Sequence, residues 1–253
     1  MKIAVVSPTY HRVGRIDKLL KYYPFIKFYT DYEEYYKYIE YYQYNIDNFI
    51  QCPRGIQVNN ARVRNYILDV EFNKYENDAV ISFDDDVYYL INWEYSQEKK
   101  KFVNKKIESN ELEKLFINLV NLTNDFGFKM FGVSASNQAL YKSNKNLFTF
   151  FSGIEGSFMG FLKNPIRVDE SIPALDDLLF AAEHIKKYGG LLKVNNLGYI
   201  KNHEFIGGFE GSGREKQAEI IREYMDNHYF LTKVSTTTIE AVNYGVSFKL
   251  IGR

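Results

Sequence analysis

The chain has 253 residues, 45% hydrophobic and 25% charged, with an aromatic share of 17% carried mostly by 22 Tyr and 20 Phe; this is an ordinary globular balance. A formal net charge of zero argues against a protein that holds nucleic acid by bulk charge alone, while leaving a local basic surface open. The single Cys52 excludes an intramolecular disulfide, no apolar run is long enough for a bilayer, and Lys2 to Val6 reaches Ser7-Pro8 too soon for a secretory leader, so a soluble, cytoplasmic protein with no membrane span is expected.

In chain order, Ile3 to Val6 reads as a buried strand that Ser7-Pro8-Thr9 breaks. A helix over Arg15 to Tyr22 ends before Pro24, and Phe25 to Tyr29 is a second strand. Asp31 can cap a helix that places Tyr32, Tyr35, Tyr36 and Ile39 on one face, read as a core face more than as a base-stacking platform. Asn48 to Gln51 is a third strand, Pro53-Arg54-Gly55 a turn, and Gln57 to Phe72 a helix with Val63, Tyr66, Ile67 and Val70 at helical spacing. The strand Ala79 to Phe83 follows, then an extended excursion from Val87 to Trp93 and a lysine-rich tip between Glu98 and Lys106. That tip reads as a solvated hairpin end, or in the sharper reading as a contact to acceptor phosphates. A helix over Asn110 to Asp125, strands near Met130 to Ser134, Phe148 to Phe151 and Ser157 to Leu162, a helix over Leu175 to Tyr188 stopped by Gly189-Gly190, and a strand Leu191 to Val194 complete the middle. The tail reads as a polar helix, Arg214 to Asn227, and a strand, Val246 to Ile251. Strands alternating with helices, without an internal repeat or linker, predict an α/β fold with a mostly parallel sheet.

The most informative run is Val80-Ile81-Ser82-Phe83-Asp84-Asp85-Asp86. Three adjacent carboxylates raise one another's pKa unless something neutralises them. Side chains alternate along a strand, so Asp84 and Asp86 project to one side and can share a hard divalent cation, Mn²⁺ or Mg²⁺. At the carboxyl end of a strand in an α/β sheet, such an ion would sit where ligands bind and would hold a substrate diphosphate. An inert acidic turn is the plainer alternative. Arg64 and Asn65 lie on the preceding helix, where Arg64 can reach a phosphate, a ribose or the aspartates, or can simply be a surface arginine. Asp176-Asp177 opens a helix, as a cap or with Asp177 as a general base beside a positioning Asp176. Asn202-His203-Glu204 precedes Gly207-Gly208 and Arg214; His203 is a candidate third metal ligand or diphosphate partner, or structural, and the glycines a mobile lid over phosphates.

These residues resemble the GT-A glycosyltransferases, which transfer sugar from a nucleotide-sugar. Asp84-Asp85-Asp86 is similar to their metal-binding Asp-x-Asp motif, Arg64-Asn65 to their Ala-Arg-Asn signature with Val63 in place of alanine, and Asp176-Asp177 to their acceptor-side Glu-Asp. A narrower resemblance, through Ser7 to Arg12, the Tyr-rich helix, Cys52 to Ile56 and the late Gly207-Gly208 with Arg214, is to the TET-associated glycosyltransferases. That family, largely from bacteriophages, decorates hydroxymethylated pyrimidines in DNA, so the location would be a host cytoplasm.

The resemblance implies a single GT-A domain over 1–253, a Rossmann-like, mainly parallel sheet flanked by helices, with a nucleotide-binding half over about 1–90 and an acceptor-side half over about 91–253. It implies a hexosyltransferase acting from a UDP-sugar. Asp84 and Asp86, with His203, would bind Mn²⁺ or Mg²⁺; Asp85 would hold ribose or sugar hydroxyls; Arg64 and Asn65 would position the nucleotide. Ser7, Pro8 and Thr9 would border the nucleobase, Arg214 would meet phosphate, and Asp177 with Asp176 would serve the acceptor hydroxyl in an inverting reaction or bind the sugar in a retaining one. Transfer to a surface glycan or small molecule, nucleotidyl transfer and a non-catalytic nucleotide-binding module remain as alternatives.

Overall fold

The computed structural model describes residues 1–134, 146–172 and 175–201, the helical residues Ile220 and Glu223, and the backbone of 230–236 and 244–250. His203, Gly207, Gly208 and Arg214 lie outside the described residues, as does most of the expected 214–227 helix.

The strands are β1 (Ile3–Thr9), β2 (Lys27–Thr30), β3 (Phe49–Gln51), β4 (Ala79–Phe83), β5 (Val87–Ser96), β6 (Lys101–Lys106), β7 (Met130–Val133), β8 (Phe148–Thr149), β9 (Phe158–Leu162), β10 (Leu192–Val194), β11 (Leu197–Lys201), β12 (Phe230–Thr236) and β13 (Tyr244–Leu250). The α-helices are α1 (Asp17–Tyr22), α2 (Tyr35–Tyr41), α3 (Asn60–Asp69), α4 (Leu112–Asp125) and α5 (Asp176–Tyr188). An eight-stranded sheet runs β3-β2-β1-β4-β9-β7-β10-β8. Its β3-β2-β1-β4 half is parallel, β7 and β10 are parallel, and β9 runs antiparallel between β4 and β7. This is the expected mixed, mainly parallel, Rossmann-like sheet flanked by helices. A smaller sheet, β11-β5-β6, stands beside it, and β12 pairs with β13.

Both faces of the large sheet are covered, which is why β1 and β4 read as unbroken apolar runs. Val5, Ile81 and Phe83 pack toward Leu19, Tyr38, Phe116 and Leu119 of α1, α2 and α4 on one face. Ala4, Val6 and Val80 pack toward Val63, Ile67, Leu179 and Ile185 of α3 and α5 on the other. Phe83 and Phe158 face each other across β4 and β9 with no exposed surface, and each such side chain contributes roughly 1.5–3 kcal/mol. The carboxyl ends of β1 and β4, the start of β9 and the amino end of α5 therefore meet at one sheet edge.

Several expected elements differ in extent. The first strand does not break at Ser7 but continues through Pro8 to Thr9. Its pairing with β4 ends at Val6↔Ser82, so beyond that point one side of the strand makes no ladder bonds for a proline to lose. The buried tyrosines of the second helix are Tyr38 and, just past its end, Tyr42, whereas Tyr32 and Tyr36 are exposed, so the core face is rotated from the expected stripe. The expected 57–72 helix divides into a 3₁₀ turn at Ile56–Val58, α3 and a π turn at Val70–Lys74. Asn59 sets the start of α3, its side chain accepting the Arg62 amide at 2.8 Å. Gly189 closes α5 at φ 76°, as the Gly-Gly stop predicts. Strands β11 and β12 have no counterpart in the sequence reading.

Candidate active site

The three aspartates leave the tip of β4 in alternation. Asp84 and Asp86 turn to the same side, where the Lys201 ammonium lies 3.2 Å from Asp84 Oδ2 and 3.5 Å from Asp86 Oδ1. Asp85 turns to the end of β1, accepting from Thr9 Oγ1 at 2.9 Å and from Arg12 Nε at 3.4 Å. Tyr38 fixes that corner, its hydroxyl accepting the Arg12 amide at 2.9 Å and lying 3.3 Å from Thr9 Oγ1. Lys201 ends β11 beside a bulge in β5: Ile200 is opposite Tyr89 but Lys201 is opposite Val87, so Tyr88 has no partner in the strand pairing. Bulges next to functional sites re-aim side chains, and this one brings Lys201 to the aspartates.

Arg64 is the hub of the site. It projects from α3, and its Nη2 donates to Asp84 Oδ1 and to the Gly156 carbonyl, each at 2.9 Å, while its Nη1 donates to Asp176. A Cβ on Gly156 would lie 2.9 Å from both terminal guanidinium nitrogens, so only glycine lets the loop come this close. The Gly156 amide in turn donates to Asp177 Oδ2 at 2.8 Å, and the Leu178 amide to Asp177 Oδ1 at 2.8 Å. The loop before β9 thus joins the β4 tip to the first turn of α5, and the Asp84 amide donates to the Ser157 carbonyl at 3.2 Å. Glu155, in the same loop, accepts from the Tyr199 hydroxyl at 2.6 Å.

The charges are unequal. Among the described residues, five carboxylates (Asp84, Asp85, Asp86, Asp176, Asp177) face three cations (Arg12, Arg64, Lys201), an excess of two negative charges when all are ionised. Burial works to raise the Asp84 pKa, but the Arg64 guanidinium and the Lys201 ammonium outweigh it and hold the carboxyl below its usual range. Burial pushes Asp85 up to about 6 against the pull of Arg12 and Thr9, with Asp84 and Asp86 adding to the rise. Asp86 is raised by burial and by Asp84, against Lys201. Asp177 is raised by burial and then by its neighbour Asp176, against Arg64 and its two backbone donors. A carboxylate held with a raised pKa is suited to take up a proton near neutrality.

No protein-family model matches the sequence, and no curated protein matches it. Among solved structures, A197 from STIV overlaps at 11% identity and a TM-score of 0.40, covering 84% of this chain and 100% of that one. The mannose-1-phosphate geranyltransferase from Thermus thermophilus overlaps at 11% identity and a TM-score of 0.35, with 90% of this chain covered and 62% of that one. Likenesses this distant carry nothing about chemistry.

The residues singled out in the sequence fall into three groups. Asp84, Asp85, Asp86, Arg64, Asp176, Asp177 and Thr9 converge at one edge of the sheet. Ser7 is fully buried, with its hydroxyl 3.2 Å from the Pro8 carbonyl. Asn65 is not brought into the group: its amide clips the chain at Val168 and Glu170, donating at 2.8 and 3.1 Å and accepting the Val168 amide at 3.1 Å. His203 and Arg214 lie outside the described residues. Sequence reasoning missed Lys201, the role of Arg12 at Asp85, and Gly156. Lys201 had one legible signal, a cation closing the run Leu197-Gly198-Tyr199-Ile200.

The donor set fits a hard divalent cation. Beyond its 3.5 Å ion pair with Lys201, the buried Asp86 Oδ1 meets no hydrogen-bond donor among the described residues, and the carboxylate excess calls for positive charge. No three or more His, Cys, Asp or Glu side chains among the described residues enclose an ion. That is compatible with Mg²⁺-type sites, which use one or two carboxylates and complete their shell with waters and substrate phosphates.

Proposed function

We propose that this chain is a metal-dependent glycosyltransferase that moves a sugar from a UDP-sugar to an acceptor hydroxyl. The observation that carries the reading is the convergence, through Arg64 and Gly156, of the Asp84–Asp86 pair with Asp177, a carboxyl whose pKa burial raises, at the carboxyl edge of the sheet. Asp84 and Asp86 would hold Mn²⁺ or Mg²⁺, which supplies Lewis-acid stabilisation of the departing diphosphate. Arg64 orients Asp84 and Asp176, and Thr9 with Arg12 holds Asp85 at the end of β1, facing the donor's nucleoside end. The acceptor oxygen forms its bond to the anomeric carbon as the bond from that carbon to the diphosphate oxygen breaks. The acceptor proton passes to the Asp177 carboxylate, and UDP leaves. In a retaining reaction Asp177 would instead bind the sugar.

For the acceptor, the lysines of the β5–β6 hairpin favour a polyanion. Lys99, Lys100, Lys101 and Lys105 are exposed there, beside the ring pair Tyr95–Phe102. A 5-hydroxymethylpyrimidine in phage DNA suits both that surface and a hydroxyl nucleophile. A non-catalytic nucleotide-binding module is the second reading, favoured by Lys201 already bridging the two outer aspartates.

The test is UDP release from a panel of UDP-sugars with Mn²⁺, with and without hydroxymethylated DNA, for wild type, Asp86→Ala and Asp177→Asn. Release that needs Mn²⁺, Asp86 and Asp177 and rises with the DNA is expected. Release indifferent to DNA moves the acceptor elsewhere, and binding of UDP without release from any donor supports the module.

A further inference from the structure

Lys201 stands where an ion shared by Asp84 and Asp86 would stand. Its Nζ is on the side both carboxylates face, 3.2 and 3.5 Å from them, and two cations cannot occupy that space together. The other cation on Asp84, Arg64, is fixed: its side chain is 5% exposed, and its terminal nitrogens also donate to the Gly156 carbonyl and to Asp176. Lys201 is the movable one. Its side chain is 22% exposed, it lies at the last residue of β11, and a four-carbon stem gives it reach. The bulge at Tyr88 that aims it is a built feature of the strand pair.

We propose that Lys201 is the resident counterion of the aspartate tip, displaced when a divalent cation binds and then free to pair with the donor's diphosphate. The inference rests on the metal-dependent reading above and adds a residue to it. Without a ligand, the ammonium keeps two like charges from repelling each other apart. With the ion in place, the same ammonium is left at the sheet edge with no carboxylate to itself among the described residues. A phosphate is its natural partner, since lysine serves phosphates as a mobile point charge. Cation binding and nucleotide binding are thereby linked through one side chain.

The experiment is a titration of the full chain with Mn²⁺, read from the electron paramagnetic resonance of free Mn²⁺, for wild type, Lys201→Met and Lys201→Arg. It is followed by UDP binding at saturating Mn²⁺. Removing the competing charge is expected to tighten Mn²⁺ binding about tenfold or more in K201M, with K201R near wild type. UDP binding at saturating Mn²⁺ is expected to weaken about tenfold in K201M and to be restored in K201R. Wild-type Mn²⁺ binding that is unchanged or weaker in K201M overturns this inference and leaves the metal reading intact. Absence of Mn²⁺ binding in both wild type and K201M overturns both.

Discussion

At the scale of single residues, the site depends on Arg64. Its burial costs desolvation, but Asp176 and Asp84 more than offset that and raise its pKa. Replacing Arg64 with Met would leave Asp176, 3% exposed, as a buried charge without its cation, and such losses cost about 3–5 kcal/mol. Urea unfolding at neutral pH should show a loss of that size, and a loss below about 1 kcal/mol would mean that Asp176 finds another partner. Away from the site, His184 is fully buried on α5, with Nδ1 2.7 Å from the Phe180 carbonyl. Burial lowers its pKa from 6.5 to about 4. A depressed folded value means that the neutral ring's stability is complete above pH 6.5 and lost as pH falls through 4. Asp85 has the opposite sign: its value, raised to about 6, makes folding more favourable on acidification below 6. The two partly cancel in the wild type, so His184 is best read by difference. The stability of wild type minus that of His184→Gln should fall by about 3 kcal/mol between roughly pH 7 and pH 4. A difference that stays flat would mean the ring is charged, or open to water, in the folded protein.

At the scale of elements, the site is a set of element ends tied by one loop. The loop before β9 accepts from Arg64 at the Gly156 carbonyl, donates to Asp177 at the Gly156 amide, and accepts the Asp84 amide at Ser157. These contacts hold α5, β4 and α3 in register. Gly156→Ala would put a methyl 2.9 Å from Nη1 and Nη2 of Arg64, in a place where the loop's own bonds prevent retreat. Overpacking of this kind costs about 1–3 kcal/mol. The change should also loosen Asp177 from its amide donor. That donor stabilises the charged carboxylate, so losing it raises the Asp177 pKa further. If Asp177 is the base, the rate falls as pH drops through its pKa, and the acid limb of the wild-type profile lies above an ordinary aspartate's value of about 3.9. In Gly156→Ala that limb should move to still higher pH. A pH–rate profile of kcat/KM for both proteins checks this, and coincident acid limbs would remove Asp177 from the proton transfer.

At the scale of the whole molecule, much of the sheet was legible because both its faces are buried. Apolar runs such as Ala79 to Phe83 mark central strands, and the charges that follow mark the edge where they emerge. What was not legible came from long-range pairing. Strand β11 is short and contains Gly198, and it exists because β5 offers it an edge; Lys201 reaches the aspartates only through the bulge in that pairing. The direction of Asn65 was hidden for a similar reason, since one helical step, about 100°, separates it from Arg64 and turns it to the 168–170 segment. The same long-range assembly sets function against stability. The raised pKa of Asp86 means that its charge opposes folding, so Asp86→Asn should raise the unfolding midpoint at neutral pH in the absence of metal. Ligand binding should reverse the ranking. Mn²⁺ and UDP, each at about a hundred times its dissociation constant, would stabilise the wild type by about 2.7 kcal/mol per ligand, whereas UDP alone meets an excess of negative charge. Thermal unfolding of both proteins, with and without Mn²⁺ and UDP, should therefore show two curves that change order. If Asp86→Asn is less stable than wild type without metal, or equally stabilised with it, Asp86 is an ordinary structural acid and not a residue whose folding cost is retained for binding.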